Sequence, residues 1–303
     1  MPVKADVETI GTYSVLDKKK LILNALPPRL NENLYGKLNE EIDLTRGNEG
    51  FKAIEDSEDS LLDYIQKTSK QGSRLKEIGD FIANARILNA FARSAELEIR
   101  AIRHNEVVFL VDKIAENADS SIQCLEKFKQ YMTSNEKGEP RGDKLENKAT
   151  TKVVNRLTLC SENSTLKVVY SAKIDAVDRE GKLIELKTTA LGHSKWVEKQ
   201  CLRHYLQSFL ANSPYTVYGR RTNFQEQIIH KIEKIPTKSI PTQRVTWKEE
   251  ECFEKLFNIL QEIESRLEFE DEAIVVKVTK DGIDFEEDDN CELVNPLFLR
   301  YFE

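Results

Sequence analysis

Apolar positions change their spacing several times along the chain, and each change marks an element. Leu61, Leu62, Ile65, Leu75, Ile78, Phe81, Ile82, Ile87, Leu88 and Phe91 recur at three- and four-residue intervals, the repeat of helices with one buried side. The Gln71-Gly72-Ser73 step predicts a break between two such helices. Ahead of them, residues 1–55 carry Pro27-Pro28 and scattered Asn and Gly with little periodicity, so an irregular segment is expected there. Residues 107–111 read as a strand, 120–132 as a helix, and the polar stretch 133–147 as a mobile loop. Strands are predicted over 150–159, 166–178 and 183–189, a helix over 194–211, and strands over 215–218 and 225–234. Residues 245–267 have the pattern of a long amphipathic helix, while 273–278, 283–285 and 296–302 read as extended. Strands and helices do not alternate strictly. The expectation is one mixed α+β domain over 1–303, with central sheets flanked by helices, rather than a doubly wound sheet.

Composition narrows the function. Of 303 residues, 40% are hydrophobic and 32% charged, and the formal charge is −7, as in a globular protein in water. The longest apolar runs fall far short of the roughly 18 residues a membrane helix needs. The first residues lack the apolar stretch of a signal peptide, so an intracellular protein of nucleus or cytoplasm is expected, with no membrane partner. Five scattered cysteines without a CxxC pair argue against a disulfide framework or a zinc ribbon. The four histidines form no HxxxH or HExxH pair, and no GxGxxG or GxxxxGK[ST] loop occurs. An acidic total excludes wholesale coating of nucleic acid but not a local basic channel. Basic residues do gather over 86–103, over 195–203 and at Arg220-Arg221. Arg86, Arg93 and Arg100, seven apart, would line one side of a helix.

The stretch Ser171–Thr189, SAKIDAVDREGKLIELKTT, is the one that suggests chemistry. Two alternating segments flank Arg179-Glu180-Gly181, a hairpin connection. If the hairpin centres on Glu180, Asp175 faces Glu185 and Lys173 faces Lys187, with Ile174, Ile184 and Leu186 on the reverse face. Two facing carboxylates repel unless a cation joins them, and hard cations such as Mg²⁺ take oxygen ligands of this kind. Lys187, two residues beyond Glu185, shares its face and is placed to orient a water or a phosphate. The same spacing also suits a half-buried hairpin that shows its charged side to water.

D-x9-E-L-K resembles the active-site pattern of the restriction-endonuclease-like, PD-(D/E)xK nuclease class. A second segment, RHYLQSFLANSPYTVYGR over 203–220, resembles the decapping exoribonuclease (DXO) family, through Gln207-Ser208-Phe209-Leu210, Pro214 and Gly219-Arg220-Arg221. Further matches follow in order: Gly11-Thr12-Tyr13-Ser14, Asp43-Leu44, Phe109-Leu110, Phe128-Lys129-Gln130-Tyr131-Met132 and Tyr301-Phe302-Glu303. The resemblance implies a nuclease-like core over about 120–235. It also implies removal of incomplete or non-standard caps from RNA 5′ ends, 5′-to-3′ degradation, and Mg²⁺ or Mn²⁺ as cofactor. In that family four carboxylates and a backbone carbonyl hold the metal. Asp175 and Glu185 match two of the carboxylates, and Leu186 matches the carbonyl. Lys187 matches the lysine near the scissile phosphate, Gln207 a substrate-contacting glutamine, and Arg86 the arginine of the first motif. Arg156 is a further candidate for RNA phosphate. Gln207 also reads as part of a solvated stripe, Lys199-Arg203-Gln207.

The chain departs from that family at two ligands. Lys129 stands where the family has Glu after Phe, and Lys173-Ile174-Asp175 stands where it has E-x-D. The two exchanges move the local charge by about +4, and an ammonium beside a metal position opposes cation binding. Salt bridges from these lysines would replace cation bridges, keeping the fold while losing hydrolysis. Three readings follow: a catalytically impaired relative that binds RNA 5′ ends, an active decapping nuclease with a reduced site of Asp175, Glu185 and the Leu186 carbonyl, or a protein-interaction scaffold. Some relatives dock on a larger 5′–3′ exonuclease, which makes such a partner an expectation here too.

Overall fold

The computed structural model describes residues 2–16, 20–49, 51, 60–112, 120–133, 144–146, 149–222, 225–288 and 293–303. Of the loop expected at 133–147, all but 133 and 144–146 falls outside the described residues.

Order begins earlier than expected. The opening segment supplies β1 (Lys4–Val15), β2 (Leu21–Leu23) and β3 (Gly36–Asp43). Val, Thr, Ile and Tyr in β1 suit a half-buried pleated surface, and β1 pairs along nearly its whole length with a strand near mid-chain. That long-range pairing, rather than local periodicity, orders it. Next come α1 (Ser60–Thr68), β4 (Phe81–Asn84) and α2 (Ala85–Ala92), then β5 (Leu97–His104), β6 (Val107–Asp112) and α3 (Ser120–Tyr131). Phe81 and Ile82, expected in a helix, lie in β4, which is hydrogen-bonded in parallel to strands on both sides. They bury into cores on opposite faces of the sheet, and a strand covered on both faces is indistinguishable from a short helical run by pattern. The expected helix side of Arg86, Arg93 and Arg100 does not exist: Arg86 is in α2, Arg93 follows its end, and Arg100 is in β5.

The middle of the chain follows expectation more closely. It holds β7 (Thr150–Cys160), β8 (Thr165–Lys173), β9 (Ala176–Val177), β10 (Leu183–Thr189), α4 (His193–Lys199), α5 (Cys201–Leu210), β11 (Tyr215–Arg221) and β12 (Ile228–Pro236). The single helix expected over 194–211 is divided at Gln200, whose side-chain oxygen accepts from Thr189 Oγ1 at 3.1 Å. The chain closes with α6 (Glu249–Arg266), β13 (Ala273–Val278), β14 (Ile283–Glu287) and α7 (Pro296–Leu299). The last was expected extended. Pro296 in the first turn and Asn295 accepting from Leu297 N make it helical instead.

Among the described residues these strands form two sheets within one mixed α+β domain. One has the order β14-β13-β5-β6-β4-β8-β7-β1-β2, the other β3-β12-β11-β10-β9. Leu88 and Phe91 of α2, Leu206 and Leu210 of α5, and Leu256 and Leu260 of α6 pack on one face of the large sheet. Leu61 and Ile65 of α1 and Phe298 of α7 cover its other face. Phe128 and Met132, from α3 and the residue after it, pack on the small sheet against Ile184, Leu186 and Val217.

The strand expected over 166–178 is cut where it matters for function. β8 ends at Lys173 in the large sheet, and β9 starts at Ala176 in the small one. Asp175 lies in the crossing between them. Ile174 therefore packs in the large-sheet core, not beside Ile184 and Leu186 as expected.

Candidate functional site

The hairpin register agrees with a centre at Glu180. Val177 pairs with Leu183 and Ala176 with Ile184, so Asp175 comes level with Glu185. Gly181, at φ +82°, supplies the left-handed turn residue. Ile184 and Leu186 bury against α3, which turns Glu185 and Lys187 to the opposite side of β10. There they sit beside Thr216 and Tyr218, their neighbours in the parallel strand β11. The buried Thr216 hydroxyl is 2.6 Å from Ser208 Oγ, a contact that seats α5 on this face.

Four charged side chains meet in this cleft, and a fifth flanks them. Lys129 Nζ lies 2.8 Å from Asp175 Oδ1 and 2.7 Å from Glu126 Oε1. Lys187 Nζ lies 2.9 Å from Glu185 Oε2. Asp175 Oδ2 accepts from Leu186 N at 2.9 Å, and Glu185 N donates to Ser213 Oγ at 3.2 Å. The Asp175 and Glu185 side chains are only 7% and 8% exposed, so these pairs operate away from bulk water. Burial pushes the Asp175 carboxyl up, but Lys129, then Lys187, and the Leu186 N–H outweigh it and hold the group below its usual range. For Glu185 burial prevails over Lys187, and repulsion from Asp175 adds to it, so the carboxyl rises to about 7. Lys129 loses charge stability through burial and regains more from Asp175 and Glu126, so its ammonium titrates above the ordinary lysine value.

The remaining expected residues divide sharply. Leu186 contributes its N–H to Asp175. Gln207 is half-buried on α5, next to Ser208. Lys173 does not face Lys187: it is exposed at the end of β8, opposite Lys152 of β7, because the chain changes sheets directly after it. Arg86 pairs with the buried Asp112 at 3.1 Å. Burial raises the Asp112 carboxyl, with Arg86 and Asn84 opposing it in part. Arg156 stands on β7 and pairs with Glu8 at 3.3 Å. The sequence reading missed Glu126, although its i,i+3 spacing to Lys129 on α3 put it within reach.

Behind Lys187 lies a buried aromatic group. Trp196 Nε1 donates to His204 Nδ1 at 3.2 Å, and the Tyr218 hydroxyl is also 3.2 Å from Nδ1. Burial first, then Lys187, Arg203 and Arg220, hold the imidazole well below its usual pKa, so it stays neutral and fits the role of acceptor. This packing fixes α4 and α5 against β11.

The donor set does not suit a divalent cation. Mg²⁺ and Mn²⁺ need several anionic or neutral oxygens. Here an ammonium contacts Asp175 directly, and no group of three His, Cys, Asp or Glu able to hold a metal occurs among the described residues.

A carboxylate pair carried on a β-hairpin followed by helix and parallel strand, within a two-sheet α+β domain, defines a PD-(D/E)xK-type nuclease core. Residues 6–292 match the family of RAI1-like PD-(D/E)XK nucleases, and the chain belongs to that family. It is 27% identical over 299 residues to the decapping nuclease dom-3 of Caenorhabditis elegans, covering 88% of this chain and 75% of that protein. Among solved structures it is similar to Candida albicans Rai1 in complex with pU5 and Mn²⁺, with a TM-score of 0.72, 17% identity, and coverage of 99% and 96% of the two chains. It is also similar to Scheffersomyces stipitis Rai1, with a TM-score of 0.73, 15% identity, and coverage of 99% and 97%. K. lactis Dxo1 in complex with manganese gives a TM-score of 0.67 at 12% identity, with coverage of 96% and 91%.

Proposed function

We propose that this chain binds RNA 5′ ends without hydrolysing them, as a divergent member of its family in mRNA 5′-end quality control. One observation carries the reading: Lys129 Nζ sits 2.8 Å from Asp175 Oδ1, so a tethered ammonium neutralises the carboxylate that a divalent ion would otherwise bridge. A bare acid pair repels a phosphate, and metal-dependent relatives overcome that repulsion with cations. With Lys129 on Asp175 and Lys187 on Glu185, the repulsion is relieved internally. End binding then needs no divalent ion. Lys187 and Gln207 are the residues for the terminal phosphate, and the Rai1 relatives solved with pU5 and with 3′-FADP support this ligand class.

The test follows 5′-monophosphate and cap-variant RNAs over time with millimolar Mn²⁺, with Glu185→Ala as contamination control. A binding assay with pU5 in Mn²⁺ and in EDTA runs alongside. We expect intact RNA and equal affinity in both buffers. Cleavage that disappears in Glu185→Ala would establish instead a working enzyme with a reduced metal site. Absence of RNA binding in either buffer would leave a protein-interaction scaffold.

A further inference from the structure

Arg156 does not join the carboxylate site. Val154 and Arg156 project from the face of β7 that α1 covers, whereas Asn155, between them, donates to Leu210 O of α5 on the other face. On the α1 face a groove of about 360 Å³ opens, lined by Arg156, Arg74, Lys70, Glu77, Tyr64 and an aliphatic floor that includes Ile10, Ile78 and Val154. Two backbone features shape it. β1 bulges between Thr9 and Gly11, placing Ile10 in the floor. Gly11 admits the Tyr64 ring, since a Cβ there would lie 1.8 Å from its hydroxyl.

Three basic side chains, Arg156, Arg74 and Lys70, line the groove against one exposed acid, Glu77, with Glu8 paired to Arg156. Lys70 and Arg74 are exposed and form no ion pair among the described residues. Arg156 meets only the loosely held Glu8, whose side chain is 64% exposed, and its Nε is buried without a partner among the described residues. A buried guanidinium N–H without an acceptor is costly, and an oxyanion satisfies it well. The negative end of α1 lies nearby but is blunted, because Thr68 Oγ1 donates to Tyr64 O at 2.9 Å. The rim is also held in place: Tyr301 O accepts from Gly72 N, and the Tyr301 hydroxyl donates to Ser69 O at 2.8 Å.

We propose that this groove is a second ligand site, for a nucleotide. The phosphate lies against Arg156, Arg74 and Lys70, and the flat base lies on the aliphatic floor. The volume falls within the range of small-molecule pockets. A free mononucleotide and a nucleotide within an RNA strand present the same chemistry. The site is on the opposite face of the large sheet from α5, so it stands or falls independently of the carboxylate cleft.

The experiment titrates the full chain with UMP, with oligouridylate lacking a 5′ phosphate, and with inorganic phosphate. It follows isoleucine methyl resonances, assigned by Ile10→Val and Ile78→Val, together with the affinity. We expect UMP or the oligomer to shift the Ile10 and Ile78 methyls, and Arg156→Gln or Arg74→Gln to weaken that ligand about tenfold. The Ile10 and Ile78 methyl shifts should persist in Lys187→Gln, whatever that variant does to phosphate binding in the carboxylate cleft. Which of the two ligands binds more tightly identifies the source. Arg74 is exposed, so its variant keeps the test valid if Arg156→Gln fails to fold. Inorganic phosphate binding as tightly as UMP, loss of the methyl shifts in Lys187→Gln but not in the arginine variants, or no methyl shift at millimolar ligand would each overturn the proposal.

Discussion

Lys129 Nζ and Asp175 Oδ1 are 2.8 Å apart, joining α3 to the crossing between the two sheets. Both side chains are largely buried, at 19% and 7% exposure, so neither can lose its partner cheaply. Removing one member of a buried pair strands the other charge and costs about 3–5 kcal/mol. Lys129→Met should therefore lower unfolding free energy in urea by roughly that amount. Adding Asp175→Asn should recover at least about 1 kcal/mol in a double-mutant cycle. Strictly additive losses would mean that the pair is a surface contact in solution.

Lys129→Glu tests what the ammonium replaces. The variant would set a third carboxylate beside those of Glu126 and Asp175, with Glu185 already repelling Asp175, an unstable arrangement until a cation enters. Its melting temperature should be low in EDTA and rise with Mn²⁺, by an amount equivalent to about 2.7 kcal/mol when the ion is at 100 times its Kd. Wild-type melting should not respond to Mn²⁺. Lys173→Glu, at an exposed position, should not confer the response. A Mn²⁺-dependent rise in the wild type would contradict the closed ion-pair site.

Glu185 gives the pH dependence. Its folded carboxyl titrates near 7 against an ordinary 4.5, because burial outweighs Lys187. A group raised on folding contributes stability below its unfolded value and loses that contribution as pH climbs through the folded one. Between pH 5 and pH 8 the wild type should therefore weaken relative to Glu185→Gln, by up to about 3 kcal/mol. Asp175, held below its usual range, stays ionised across this window and adds no slope. Parallel stability curves for the two proteins would show that Glu185 remains charged throughout.

How much of this was legible beforehand depended on the range of the interactions. The Asp175–Glu185 register and the bounds of β10 follow from local alternation around Gly181, and both were readable. The position of Lys173 was not. Its two-residue distance from Asp175 implies a shared face only if the strand continues, and the chain changes sheets between them. The partners of Arg156 and Arg86 were hidden for a related reason: a sequence reports charge, while sheet face and partner are set by pairings such as β1 with β7. The same long-range pairing hid the order of the opening segment. Lys129 was identified through resemblance alone, and only the fold brings it to Asp175 across 46 residues of chain.

Gly219 is where the packing that aims Lys129 can be disturbed without touching a charge. It lies in β11 under Phe128, the residue before Lys129, and a Cβ there would come 2.6 Å from the Phe128 ring and 2.9 Å from Ile229 Cδ1. The isoleucine tip can rotate away, but Phe128 is fully buried and must move, carrying α3 with it. Gly219→Ala should cost about 1–3 kcal/mol from overpacking. It should also reduce the Lys129–Asp175 coupling energy measured in the double-mutant cycle, because the ammonium is displaced with its helix. Phe128→Leu creates space at the same contact, so combining it with Gly219→Ala should cost less than the sum of the two single changes. Additive costs, with the Lys129–Asp175 coupling intact in Gly219→Ala, would show that α3 is positioned by contacts other than Phe128.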